Sequence, residues 1–128
     1  MILIFDLDDT LYDEMSYVTS GLRAVANFGM ESLGWDANES LAFMKNHLRF
    51  HGRGKIFDEW LQAKRAFTKT RVNECVRIYR HHYPKITMFQ FAPRVLDHYL
   101  DRLPMYLVTD GHKVVQQKKI DALGVAPK

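Results

Sequence analysis

Two carboxylates set two residues apart, Asp6 and Asp8, follow the unbroken apolar run Met1-Ile2-Leu3-Ile4-Phe5. A chain leaving a buried strand is still extended there or starting to turn, so both side chains can reach one small volume. Two close carboxylates do not both ionise cheaply without a cation between them. A hard divalent ion with oxygen ligands meets that need, and magnesium suits a site that also keeps waters and a phosphate. One carboxylate can then attack as a nucleophile while the other carries a proton for the leaving group. A second polar group, Thr109, Asp110 and Gly111, ends another apolar run and precedes a helical pattern. Free amides at a helix start make a phosphate cradle, and Gly111 lets the backbone come close to a ligand.

The elements that must position these groups can be traced in order. Residues of about 2–6 and 105–109 are short continuous apolar runs, the pattern of strands covered on both faces. Open α/β sheets place their sites at the carboxyl ends of such parallel strands. Met15, Val18, Leu22, Val25, Ala26, Gly29, Met30 and Leu33 recur at threes and fours, which predicts a helix over 14–33 stopped by Gly34. Asp36 with Glu39 resembles a capping box and opens a helix carrying Leu41, Met44 and Leu48. His51 to Lys55 breaks that helix, and Phe57, Trp60 and Leu61 begin a third. Val72, Cys75, Val76, Tyr79 and Tyr83 form the stripe of a fourth, ended by Pro84. Pro93 suits the first turn of a helix reaching about Leu103, the crossover that parallel strands need. A last helix covers about 113–123 and closes at Gly124. The expected fold is therefore α/β, in the order strand, all-helical lobe over 14–83, helix, strand and helix.

Apolar and aromatic residues make up 47% of the 128, enough for a core and against disorder. Cys75 is the only cysteine, so no internal disulfide forms, which fits a reducing cytoplasmic setting. The apolar start is too short, and lacks the basic flank, for a signal peptide or membrane span. The net charge of +3 hides an asymmetry. Residues 1–44 hold one base and eight acids, net −7; residues 45–85 hold eleven bases and three acids, net +8. The basic stretch either draws anions toward the carboxylates or is a set of solvated helix faces. No nucleic-acid-reading motif accompanies it.

Other polar residues carry blander readings. Glycine-flanked Arg53 and Lys55 form an exposed loop or an anion contact, and Gly52-Arg53-Gly54-Lys55 lacks the spacing of a Walker loop. His47 and His51 share a helix face, but no glutamate follows His47 as in zincins, so they read as a solvated pair. His81 and His82 suit a helix end. Trp35 and Trp60 read as packing anchors, and His112 adjoins the phosphate cradle.

Phe5-Asp6-Leu7-Asp8-Asp9-Thr10-Leu11 resembles the Asp-x-Asp-x-Thr first motif of the haloacid dehalogenase-like hydrolase superfamily. Leu107-Val108-Thr109-Asp110-Gly111 is similar to its second motif, and Lys119 to Gly124 to the helix that follows. The resemblance implies a magnesium-dependent phosphohydrolase of small phosphorylated metabolites, with residues 1–13 and 84–128 as a partial Rossmann-like core and residues 14–83 as its inserted helical cap. Asp6 would be the nucleophile and form an aspartyl-phosphate. Asp8 would protonate the leaving oxygen and then activate water. Magnesium would be held by the Asp6 carboxylate and the Asp8 main-chain carbonyl. Thr109, with Asp110 and Gly111, would bind the phosphoryl group, and Thr10 would shape the loop. An acid at Asp8 favours phosphate chemistry, since the dehalogenases proper lack one there. The resemblance further implies a lysine after a third strand and a later acidic pair. The sequence ends at about the start of that third strand, so it reads as a truncated member with weak or absent turnover. Lys118 and Lys119 come too early for the usual lysine, unless Lys119 is pressed into its service. A phosphotransferase or phosphomutase on the same scaffold, and a non-catalytic anion-binding remnant, are the alternatives. No membrane partner is expected, and the oligomeric state is left open.

Overall fold

The computed structural model describes residues 3–9, 11–99, 105–108 and 113–124, with the backbone alone at 3–6, 91, 99 and 105–108. Strands β1 (Leu3–Asp6) and β2 (Met105–Val108) pair in parallel, with Leu3 opposite Met105 and Asp6 opposite Val108. Between them run helices α1 (Glu14–Leu33), α2 (Ala37–His51), α3 (Ile56–Ala63), α4 (Lys69–His81) and α5 (Phe91–Tyr99). Helix α6 (Lys113–Leu123) follows β2 and ends at Gly124, whose φ of +73° is the left-handed stop that glycine adopts freely. By compactness the chain divides into residues 1–18 with 83–128, and residues 19–82.

In the unit of residues 19–82 the helices start where the capping chemistry places them. Asp36 is extended and its side chain accepts from the Glu39 N–H at 2.9 Å, opening α2. Thr68 does the same for α4 through the Arg71 N–H at 3.0 Å. Each bond satisfies an amide that the first helical turn leaves unpaired. The core draws on all four helices: Leu22, Val25 and Ala26, then Leu41 and Met44, then Ile56, Trp60 and Leu61, then Val72 and Cys75 are buried. Burial, then the charge of Glu74, pushes the Cys75 thiol up to about 12, so it packs as a small apolar group rather than a thiolate. Trp35 meets Trp60 edge-on with ring centroids 5.2 Å apart, as anchors should.

Periodicity overstates the core at three positions. Met15 and Met30 lie on the expected stripe of α1 yet are 46% and 47% exposed. A twenty-residue helix outruns the elements available to cover every residue of its stripe. Tyr83 was expected to extend the α4 stripe, but α4 ends at His81 and Tyr83 is 69% exposed. The residue before a proline is driven out of helical geometry, and Pro84 imposes that here. Conversely, Gly21 was not on the expected stripe, yet a Cβ there would run into the Tyr79 ring of α4. Helix α5 is described to Tyr99; the expected extension to about Leu103 lies outside the described residues.

Candidate active site

β1 delivers Asp6 as its last residue, directly across from Val108, the last residue of β2. Thr109 is next in the chain after Val108. The two strand ends that carry the expected chemistry are therefore neighbours in one sheet. Thr109, Asp110, Gly111, His112 and the loop-shaping Thr10 lie outside the described residues, as does the side chain of Asp6.

Beyond Asp6 the chain turns at once. Leu7 is fully buried, and its carbonyl accepts from the Leu11 N–H at 3.2 Å. Asp9 adopts φ +57°, a left-handed conformation that Asp tolerates because its side chain bonds locally. That side chain accepts from the Glu14 N–H at 2.8 Å, and Asp13 accepts from the Met15 N–H at 3.0 Å. Both carboxylates thus serve the positive end of α1. The Leu11 carbonyl accepts from the Phe89 N–H at 2.7 Å, which ties the turn to the segment entering α5. The acids around Asp8 accordingly divide their work: Asp9 and Asp13 hold the turn and the helix start, and Asp8 has other partners.

Asp8 is gripped by three donors from two elements. Its Oδ1 accepts from the Tyr12 hydroxyl and from Lys119 Nζ at 2.9 Å, and its Oδ2 from Gln116 Nε2 at 3.2 Å. Gln116 and Lys119 stand three residues apart on α6, hence on one face. The Lys119 side chain is 6% exposed and that of Asp8 28%. The Lys119 ammonium also lies 4.3 Å from the ring centroid of Tyr17 and 5.9 Å from that of Tyr12. A buried ammonium needs such company, because desolvation without an anion and hydrogen bonds costs several kcal/mol, on the order of the Born penalty after relaxation. Burial pushes the Asp8 carboxyl up, but the hydrogen bonds from Tyr12, Lys119 and Gln116 and the Lys119 charge outweigh it and hold the carboxyl below its usual value. Burial, and then the hydrogen bond to Asp8, push the Tyr12 hydroxyl well above the ordinary phenol range, so it remains a donor.

The structure thus brings Asp8 together with one residue the sequence had noted, Lys119, and with two it had not, Tyr12 and Gln116. A weak signal existed: Gln116 and Lys119 share the helical spacing of Leu123, at i, i+3 and i+7. The loop bearing Arg53 and Lys55 is exposed throughout. Among the described residues no three His, Cys, Asp or Glu side chains gather as a metal cluster, and no helix is long and apolar enough to cross a membrane.

No protein-family profile matches the chain. It is 26% identical over 132 residues to the glyceraldehyde 3-phosphate phosphatase of Methanocaldococcus jannaschii, covering 98% of this chain and 58% of that protein. Among solved structures, a haloacid dehalogenase-like family hydrolase from Xanthomonas campestris superposes with a TM-score of 0.52 at 20% identity, covering 98% of this chain and 57% of that one. The magnesium-bound HAD-hydrolase YfnB from Bacillus subtilis superposes with a TM-score of 0.58 at 15% identity, covering 97% and 58%. The fold is that of the haloacid dehalogenase-like hydrolases, an α/β fold with a Rossmann-like core, as the sequence resemblance implies. The chain spans somewhat over half the length of these relatives.

Proposed function

We propose that the chain carries the nucleophile half of a magnesium-dependent phosphohydrolase that acts in the cytoplasm on small phosphorylated metabolites. Residues 1–13 and 84–128 form its partial core and residues 14–83 its helical cap. The observation that carries the reading is the register of the sheet, which sets Asp6 beside Val108 and so beside the residue that Thr109 follows. The name of the Methanocaldococcus relative makes a triose phosphate a reasonable member of the substrate class.

In this reading the Asp6 carboxylate attacks phosphorus and the bond to the leaving oxygen breaks, giving an aspartyl-phosphate. Asp8 gives that oxygen its proton. Asp8 then takes a proton from water as the water attacks phosphorus, releasing phosphate and restoring Asp6. The three donors on Asp8 favour its ionised form, the one needed for the second step. An anionic phosphate arriving alongside raises its affinity for a proton, the condition needed for the first. Thr109 and the amides of Asp110 and Gly111 bind the phosphoryl oxygens. As the resemblance implies, the Asp6 carboxylate and the Asp8 main-chain carbonyl would hold the ion, while both Asp8 carboxylate oxygens accept from protein donors. An all-oxygen pair of this kind fits magnesium, which would neutralise charge on the phosphoryl group.

The test is phosphate release from a panel of small phosphate esters, with and without magnesium, by the chain and by Asp6→Asn. Magnesium-dependent release that vanishes in Asp6→Asn supports the reading, and release that survives the substitution removes Asp6 from its role. Magnesium-dependent ester binding without release favours a non-catalytic anion-binding function. Transfer to an added alcohol in preference to water favours a phosphotransferase.

A further inference from the structure

We propose that His47 and His51 form a two-imidazole site for a divalent transition-metal ion on the helical unit, separate from the carboxylate site. Helix α2 places the two rings one turn apart on one face. Their centroids are 5.0 Å apart and their planes tilted by 40°. With metal–nitrogen bonds of about 2.0–2.1 Å and each centroid roughly 1.1 Å behind its nitrogen, a near-tetrahedral angle at the ion sets two centroids about 5 Å apart. The pair therefore already has the spacing of two imidazoles on one ion. Both rings line a cavity of about 340 Å³, together with Gly54, Lys55 and Glu59. His51 is exposed and His47 half-buried, with its Nδ1 buried and without a hydrogen-bond partner. Packing thus holds one ring while the other can adjust to it.

Donor type decides the class of ligand, because residues 45–85 carry a net charge of +8. Both rings lie toward the C-terminal end of α2, where the helix dipole favours a cation. Glu59 across the cavity repels an anion and offsets the exposed ammonium of Lys55. Imidazole nitrogens suit zinc, nickel and copper, whereas magnesium takes oxygen ligands. Among the described residues no third His, Cys, Asp or Glu completes a cluster, so water fills the other positions and Glu59 acts from across the cavity.

The test is calorimetric titration of the full chain, free of any histidine tag, with nickel chloride and with zinc chloride in a non-chelating buffer. One equivalent is expected to bind, with magnesium in large excess failing to displace it. Loss of an outer partner of a metal site already costs roughly 10–100-fold in affinity, so His51→Ala is expected to weaken binding by more than about tenfold. His51 is exposed, so its variant keeps the fold; His47→Ala is read only after circular dichroism shows native helix. Failure of the wild-type chain to bind either ion, affinity unchanged in His51→Ala, or displacement by magnesium overturns the proposal.

Discussion

Lys119→Met removes the ammonium from Asp8 while keeping a stem of similar length against Tyr17. Removing one partner of a fully buried ion pair costs about 3–5 kcal/mol, because the other charge stays behind unpaired. Asp8 retains 28% of its side-chain surface in water, and Tyr12 and Gln116 still donate to it. Solvent and these two donors absorb part of the penalty, which brings the expected loss to about 2–3 kcal/mol. The cation–π contact to Tyr17, with 4.3 Å to the centroid, adds to that by about 0.5–1 kcal/mol. The assay is urea unfolding of the wild type, Lys119→Met, Asp8→Asn and the double variant at pH 7. Once Asp8 is neutral, Lys119 has lost its anion, so the double variant should be more stable than the sum of the single losses predicts. The coupling is expected at about 1–3 kcal/mol. Additivity to within about 0.5 kcal/mol would refute the picture of an internal cation holding Asp8.

Two further expectations follow from the same contacts and from the helical unit. The Asp8 carboxyl lies below its ordinary value of 3.8 when folded, so its contribution to stability is complete above pH 3.8 and fades as pH falls through the lower folded value. Urea midpoints measured from pH 7 downward should therefore converge for wild type and Asp8→Asn only in the acid range, and convergence above pH 5 would contradict the depressed carboxyl. Gly21→Ala is expected to destabilise by about 1–3 kcal/mol through overpacking against Tyr79. Helix propensity alone predicts a gain of about 1 kcal/mol for the same change, so the sign of the measured shift in thermal midpoint separates the two.

Much of the scaffold was legible because it is local. The three-and-four spacing of Leu22, Val25, Leu41, Met44, Trp60 and Val72 specifies which side of each helix goes inward. Asp36 marks a helix start through bonds to neighbours three residues away. The apolar runs ending at Asp6 and before Thr109 announce strands whose polar ends face one another if they pair in parallel. Where local rules compete, the sequence misleads: Met30 fits a buried stripe yet stays half exposed, and Pro84 cuts off Tyr83. The resemblance assigns tasks to Asp6 and Asp8 but none to Asp9 and Asp13. Asp6, Asp8, Asp9 and Asp13 look alike as residue types; the left-handed turn at Asp9 turns two of them to the start of α1.

By itself the sequence determined the residue types at the strand ends, and with them the class of chemistry available to Asp6 and Asp8. The tertiary structure decided the state in which Asp8 is kept. Its Lys119 and Gln116 partners lie more than a hundred residues away, and they meet it only because β2 pairs in register with β1 and α6 follows β2. The fold takes the water away from Lys119. Once buried, its ammonium must have an anion, and Asp8 is the anion at hand.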